Sequence, residues 1–260
     1  MAPLTIALLG LGEAGSAIAG DLVAAGAVVR GFDPAGARDL AGVELAEDAR
    51  AAAQGSDVIL SVNAATAALA VAGSAAGALT PGQVYADLNS AGAALKRAVA
   101  DVVAPTGAAF ADVALMAPVP GNGLRTPALV SGPGAGAFAE RLGPLGMPVE
   151  VLGDEPGQAA ARKLLRSVFM KGLAAASIES MRAAQRAGCE QWLHDEIAAV
   201  LIGADAALLD RLLTGSARHA ARRRREMRDA RELLAELGVE PRVTVAAEGW
   251  LAQLEAEIDG

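Results

Sequence analysis

Residues 4–15 read Leu4-Thr5-Ile6-Ala7-Leu8-Leu9-Gly10-Leu11-Gly12-Glu13-Ala14-Gly15, an apolar run that meets three spaced glycines and opens into a helical stretch over Ala14–Ala25. The run has the length and composition of a buried strand. Gly10 permits a tight turn, Gly12 lets a phosphate approach the backbone, and Gly15 lets the following helix pack closely on the strand. The helix N-terminus then points unpaired N–H groups and a positive dipole end at the phosphates. Gly10, Leu11, Gly12, Glu13, Ala14 and Gly15 are therefore candidate ligands of a dinucleotide. The next apolar run ends Arg30-Gly31-Phe32-Asp33, placing a carboxylate about 20 residues on, where it accepts hydrogen bonds from a ribose diol and repels a 2′-phosphate. Asp33 favours NAD, while Arg30 and Arg38 nearby in sequence keep NADP open. An ordinary Gly-rich turn is the plainer reading of the glycines alone. A methyltransferase would share them but would leave the second half of the chain unexplained.

Through the first half of the chain, short apolar runs alternate with helical stretches. Strands are expected at Leu4–Leu9, Ala27–Phe32, Asp57–Val62, Gln83–Leu88, Ala109–Val113, Ala128–Val130 and Pro148–Leu152. Helices are expected at Ala14–Ala25, Ala46–Gln54, Ala64–Ala78, Ala91–Val103 and Gly134–Leu142. That alternation implies βαβ units and a mainly parallel, doubly wound sheet of Rossmann type over residues 1–156. Such a sheet binds its dinucleotide across the carboxyl ends of its strands, which adds Val62, Asn63 and Asn89 to the candidate cofactor residues. After Gly157 the strand signals stop. A helix over Gly157–Ala187, longer than is usual, is followed by helices at Glu190–Leu201, Asp205–Leu213, Ser216–Leu237 and Arg242–Ile258. Residues 157–260 thus read as an all-α domain.

The chain has 260 residues, 53% of them apolar but only 3% aromatic, and a formal net charge of −8. An acidic protein is poorly suited to binding nucleic acid through its overall field. One cysteine excludes an intrachain disulfide framework, and two histidines leave little for a multi-histidine metal site. The apolar start lacks a basic flank and a cleavage-like site, and no stretch reads as a membrane span. These features predict a cytoplasmic protein without a metal.

A second signal lies on the long helix. Only three of the 22 Lys and Arg residues are lysines (Lys96, Lys163 and Lys171), and two share the segment Gly157-Gln158-Ala159-Ala160-Ala161-Arg162-Lys163 … Ser167 … Lys171. Positions i, i+4 and i+8 fall on one side of a helix, so Lys163, Ser167 and Lys171 are the candidate catalytic residues. An ammonium donates to a carbonyl or alkoxide oxygen and shifts its pKa when partly buried, which a guanidinium does not readily do. Two surface lysines on an amphipathic helix are the plainer reading. A third signal is Arg218-His219-Ala220-Ala221-Arg222-Arg223-Arg224-Arg225-Glu226. His219 and Arg222 would anchor an anionic substrate there. The competing reading is a solvated face paired with Glu226, Asp229 and Glu232.

Together these residues resemble the β-hydroxyacid dehydrogenases, the group of 3-hydroxyisobutyrate and 6-phosphogluconate dehydrogenases. Asp87-Leu88-Asn89-Ser90 is similar to that family's short polar motif near nicotinamide and substrate. Met116-Ala117-Pro118-Val119-Pro120-Gly121-Asn122-Gly123 resembles its Ala-Pro-Val-Ser-Gly-Gly loop, which holds the substrate carboxylate. Lys163 falls on the family's catalytic lysine. The resemblance therefore implies Ser90, Pro120, Gly121 and Asn122 as substrate contacts. Pro120 stands where the family has a serine, and Ser167 where it has an asparagine, so a known member's substrate does not transfer. The segments Lys163–Gly172 and His219–Arg223 resemble a branch whose short helical C-terminal domain has no assigned function. The expected activity is that of an oxidoreductase passing a hydride between a nicotinamide and a small, anionic hydroxy acid or related carbonyl compound. A homodimer is expected partly by the same resemblance. The rival expectations are an imine or amine reductase and a non-catalytic dinucleotide-binding module.

Overall fold

A computed structural model describes residues 2–36 and 40–259. The order of elements is β1 (Thr5–Leu9), α1 (Glu13–Ala24), β2 (Val28–Phe32), β3 (Val43–Leu45), α2 (Ala49–Ala53), β4 (Val58–Ser61), α3 (Ala68–Ala76), β5 (Val84–Asp87), α4 (Ala93–Val103), β6 (Ala109–Leu115), β7 (Ala128–Ser131), α5 (Ala135–Leu142) and β8 (Val149–Gly153). Five helices complete it: α6 (Gln158–Ala187), α7 (Glu190–Ile202), α8 (Ala206–Arg218), α9 (Ala220–Glu236) and α10 (Arg242–Asp259). Two compact units divide the chain at Arg166 and Ser167.

In the first unit one sheet of eight strands runs in the order β3-β2-β1-β4-β5-β6-β7-β8. All neighbours pair in parallel except β6 with β7, which is antiparallel. The strands buried on both faces are the continuous apolar runs of the sequence, as a covered parallel sheet demands. Alternate residues of each strand feed two cores. Ile6, Leu8, Val58 and Leu60 pack with Ile18, Leu22 and Phe138 on one face. Ala7, Leu9, Ile59 and Tyr85 meet a layer rich in alanine, including Ala52, Ala72 and Ala75, on the other. The strand order reverses between β1 and β4, the place where such sheets open a crevice at their carboxyl edge.

Two elements depart from the expected spans. Strand β3 lacks a strand signal because it is three residues long, with Glu44 and Leu45 exposed at the sheet edge. The helix expected over Ser216–Leu237 is instead two, broken at His219, whose backbone (φ −118°, ψ 25°) leaves the helical region. No residue type in that stretch marks the break.

In the second unit α9 and α10 are clamped by Arg224–Glu255 at 2.6 Å and Arg231–Glu248 at 3.0 Å. Glu179 of α6 caps α10, accepting from the Val243 and Thr244 amides (2.7 and 2.8 Å) and from Thr244 Oγ1 (2.6 Å). Burial works to raise the Glu179 carboxyl. The Thr244 hydroxyl and the capping amides together outweigh it and hold the group below its ordinary value. Among the described residues, no helix is long and apolar enough to cross a membrane.

Candidate functional site

The turn between β1 and α1 is built as its glycines require. Gly10 has φ +108°, and a Cβ there would collide with the Val62 carbonyl; one on Gly15 would collide with the Gly10 carbonyl. These two glycines hold β1, β4 and α1 in contact. Gly12 differs, because a Cβ there would meet no heavy atom within 4 Å. Asp33, just past β2, fastens the same turn: its Oδ2 accepts the Leu11 N–H at 2.8 Å and its Oδ1 the Ala35 N–H at 2.9 Å.

From this turn a cleft of about 1020 Å³ runs along the carboxyl edge of the sheet. Gly10, Gly12, Glu13, Ala14, Gly15, Asp33, Val62, Asn63, Asn89, Ser90 and Lys163 all line it. One end is walled by Phe32, Pro34, Asp48, Ala49, Ala70, Val71 and Ser74, and the other by Leu88, Leu115, Ala117 and Val119. Apart from Asp48 and Ser74 these are apolar residues that carry no chemical label, which is why the motifs did not find them. Leu11, although in the glycine motif, points the other way and is buried in the core beneath Gly31.

The polar floor is hydrogen-bonded internally. Asn89 Oδ1 accepts the Asn63 N–H at 2.5 Å, and Asn89 Nδ2 donates to Ser61 Oγ at 3.2 Å. Asn63 Nδ2 donates to Ser61 Oγ at 3.0 Å, while its Oδ1 is buried with no hydrogen-bond partner among the described residues. At the far end Lys163 Nζ donates to Ser90 Oγ at 3.1 Å, so helix and loop candidates meet.

Pro120, Gly121 and Asn122 do not line the cleft. They are exposed on a turn in which Asn122 Nδ2 donates to the Pro118 carbonyl at 2.8 Å. Val119 and Ala117, just before them, take the wall instead. Arg30 is held away from the cleft by the Gln54 carbonyl (2.7 Å) and Glu44 (3.5 Å), and Arg38 lies outside the described residues. Ser167 and Lys171 belong to the second unit, Ser167 half-buried and Lys171 exposed. His219 is exposed at the α8–α9 break. Arg222 pairs with Glu226 at 2.6 Å, Arg223 with Ser216 at 2.6 Å, and Arg224 with Glu255. These three members of the arginine run thus have partners on the unit's own helices.

Sequence reasoning missed a buried charge cluster behind the polar floor. Lys96 of α4 is 1% exposed, with its Nζ 3.5 Å from Asp87 Oδ1 and 3.3 Å from Asp112 Oδ1. Burial pushes the Asp87 carboxyl up against the opposing pull of Lys96. A lysine on an amphipathic helix normally reads as a surface residue, and nothing in the spacing around Lys96 says otherwise.

The open space at Gly12, the unpartnered Asn63 Oδ1 and an elongated cleft over a helix N-terminus fit a dinucleotide. Residues 5–126 match the NAD-binding domain of 6-phosphogluconate dehydrogenase, and residues 184–254 match a domain of unknown function (DUF1932). None of the curated proteins matches the chain. A conserved hypothetical protein from Sinorhizobium meliloti is 37% identical, with 96% of this chain and 88% of that one covered and a TM-score of 0.65. A conserved protein of unknown function, described as structurally similar to 3-hydroxyacid dehydrogenases, is 27% identical over 97% of this chain and 98% of that one, with a TM-score of 0.64. An imine reductase variant from Myxococcus stipitatus in complex with NAD+ has a TM-score of 0.82 at 20% identity, covering 98% and 95%, a likeness of fold alone. The chain belongs to the same family as the conserved Sinorhizobium meliloti protein, and in it an NAD-binding domain of the 6-phosphogluconate dehydrogenase kind is followed by the helical domain of unknown function.

Proposed function

We propose that the protein is an oxidoreductase that uses NAD to interconvert a small hydroxy acid, or a related alcohol, and its carbonyl compound. The observation that carries this reading is the meeting of Lys163 and Ser90 on the cleft that begins at the glycine turn. The N–H groups at the start of α1 bind the pyrophosphate, and the apolar slot around Val71 and Pro34 receives the adenine. Asp33 accepts the ribose hydroxyls with lone pairs not used by Leu11 and Ala35. Arg30 is engaged elsewhere, which supports NAD over NADP.

When bound, the nicotinamide gives or takes the hydride. Lys163 and Ser90 hold the substrate oxygen. The Lys163 ammonium donates a proton to it during reduction, and the amine accepts that proton during oxidation. Leu115, Ala117 and Val119 exclude water from that end. General acid–base help of this kind is worth about 10²–10⁴-fold in rate. Reduction of a C=N bond is a second reading. It is favoured by the apolar wall and by the absence of the loop serine, and it fits the fold likeness to an imine reductase. The exposed apolar side chains of the helical domain support a homodimer, and the single cysteine a cytosolic location.

Titration with NADH and NADPH tests the cofactor assignment. NADH should bind in the micromolar range and more tightly than NADPH, and Asp33→Ala should narrow the gap. Turnover of hydroxy acids, aldehydes and cyclic imines should then fall about 10²–10⁴-fold in Lys163→Ala with NADH affinity kept. NADH binding with no turnover on any of these, and no response to Lys163→Ala, would favour the non-catalytic module. Binding of neither dinucleotide would remove the reading.

A further inference from the structure

The cluster behind the polar floor touches both walls that meet at Lys163 and Ser90. Lys96 Nζ donates to the Asp87 carbonyl at 2.6 Å and reaches one carboxylate oxygen each of Asp87 and Asp112. From Asp87 the connection runs to the loop, because its Oδ1 accepts the Asn89 N–H at 2.8 Å and so fixes the turn presenting Ser90. From Asp112 it runs to the start of α6. Asp112 Oδ2 accepts the N–H groups of Gly157 (3.1 Å) and Ala160 (3.0 Å), and Ser131 Oγ, 3.3 Å from Asp112 Oδ2, accepts the Ala159 N–H at 3.0 Å. Lys163 follows one turn later. Gly157 is pressed on Ala93, the first residue of the helix carrying Lys96; a Cβ there would stand 2.9 Å from the Ala93 Cβ.

A buried ionic cluster is seldom the most stabilising filling for a core, and apolar side chains of like volume often hold a fold equally well. What this one does that they would not is fix two separate backbone segments to a common point. Resting on the reading of Lys163 as proton donor, we propose that Lys96 is a positioning residue. Through Asp87 and Asp112 it sets the register of the Lys163 turn against the Asn89–Ser90 loop.

The three lysines make this directly observable. Protein labelled with 13Cε,15Nζ-lysine gives three side-chain signals, assigned by single Lys→Arg variants. In the wild type, the Lys96 ammonium hydrogens should exchange with water at least about tenfold more slowly than those of exposed Lys171. Exchange as fast as at Lys171 would overturn the proposal. Lys96→Met alone leaves two carboxylates facing each other and is prone to unfold. Lys96→Met combined with Asp87→Asn removes one charge of each sign and keeps an oxygen to accept the Asn89 N–H. In this folded double variant the Lys163 signal should move toward the position of Lys171, while Lys171 stays put and the NADH dissociation constant changes less than about threefold. A Lys163 signal unmoved from the wild type would show that Lys96 only fills the core. Failure of the proton-donor reading has a separate signature, full turnover in Lys163→Ala, which leaves the resonance test unaffected.

Discussion

At Gly10 the backbone is left-handed and a Cβ would strike the Val62 carbonyl, whereas at Gly12 a Cβ would extend into the cleft without meeting an atom. The same substitution should therefore do different things two residues apart. Gly10→Ala strains φ and forces β1 and β4 apart, costing about 1–3 kcal/mol from the dihedral alone. It should lower the melting temperature by several degrees. Gly12→Ala should melt as the wild type does, yet weaken NADH at least about tenfold, because the methyl group occupies the pyrophosphate's approach. Differential scanning calorimetry with an NADH titration separates the two; an unaltered NADH affinity in Gly12→Ala would displace the cofactor from this turn. The glycine roles were legible at this scale because a glycine requirement is a backbone requirement, visible in spacing. The opposed case is Leu11, whose place in the motif suggests a ligand while its side chain belongs to the core. Lys96 was illegible for a different reason: its significance comes from Asp87 and Asp112, which only the pairing of β5 with β6 brings side by side.

Elements whose burial is continuous were readable, because a fully covered strand is apolar along most of its length. This holds for β1, β4 and β5. Edge strand β3 was not, since it depends on its pairing with β2, and the α8–α9 break was not, since no residue type around His219 marks it. The cap that Glu179 of α6 places on α10 is another such long-range feature, and it carries a sign. Its carboxyl is held below the ordinary value of 4.5 in the folded chain. The ionised form is therefore favoured by folding, and its contribution is fully present above that value. It is lost as pH falls from 4.5 through the lowered value, where the folded chain must take up the proton. Glu179→Gln should lower stability at neutral pH and flatten the decline of the melting temperature on the acid side. A series of melts from neutral pH downward tests this, and parallel acid limbs in wild type and variant would assign the acid sensitivity to other carboxylates.

For the molecule as a whole, the distribution of large exposed apolar side chains is uneven. Among the described residues all but Leu45, Leu69 and Val151 lie at or beyond Leu164. Leu165, Val168 and Phe169 are 71%, 73% and 58% exposed, and Ile202 is 87% exposed. Exposed large apolar side chains in this number favour an association surface over a wholly solvated one. Charge also argues for a protein partner: the chain carries a net −8, which disfavours an anionic membrane surface. A second copy of the chain offers the same apolar helices, so a two-fold interface would cover the surface on both copies at once. Both tryptophans, Trp192 and Trp250, are in this helical unit, 63% and 66% exposed in the single chain. The homodimer we propose therefore predicts a sedimentation mass of twice the chain at micromolar concentration, with tryptophan emission shifting to longer wavelength on dilution as rings return to water. Val168→Asp with Phe169→Asp should give a monomer with the diluted emission but an intact glycine turn, since neither residue belongs to the first unit. NADH binding by that monomer would separate assembly from cofactor recognition. A wild-type chain that sediments as a monomer throughout, with constant emission, would return the apolar surface to some other partner.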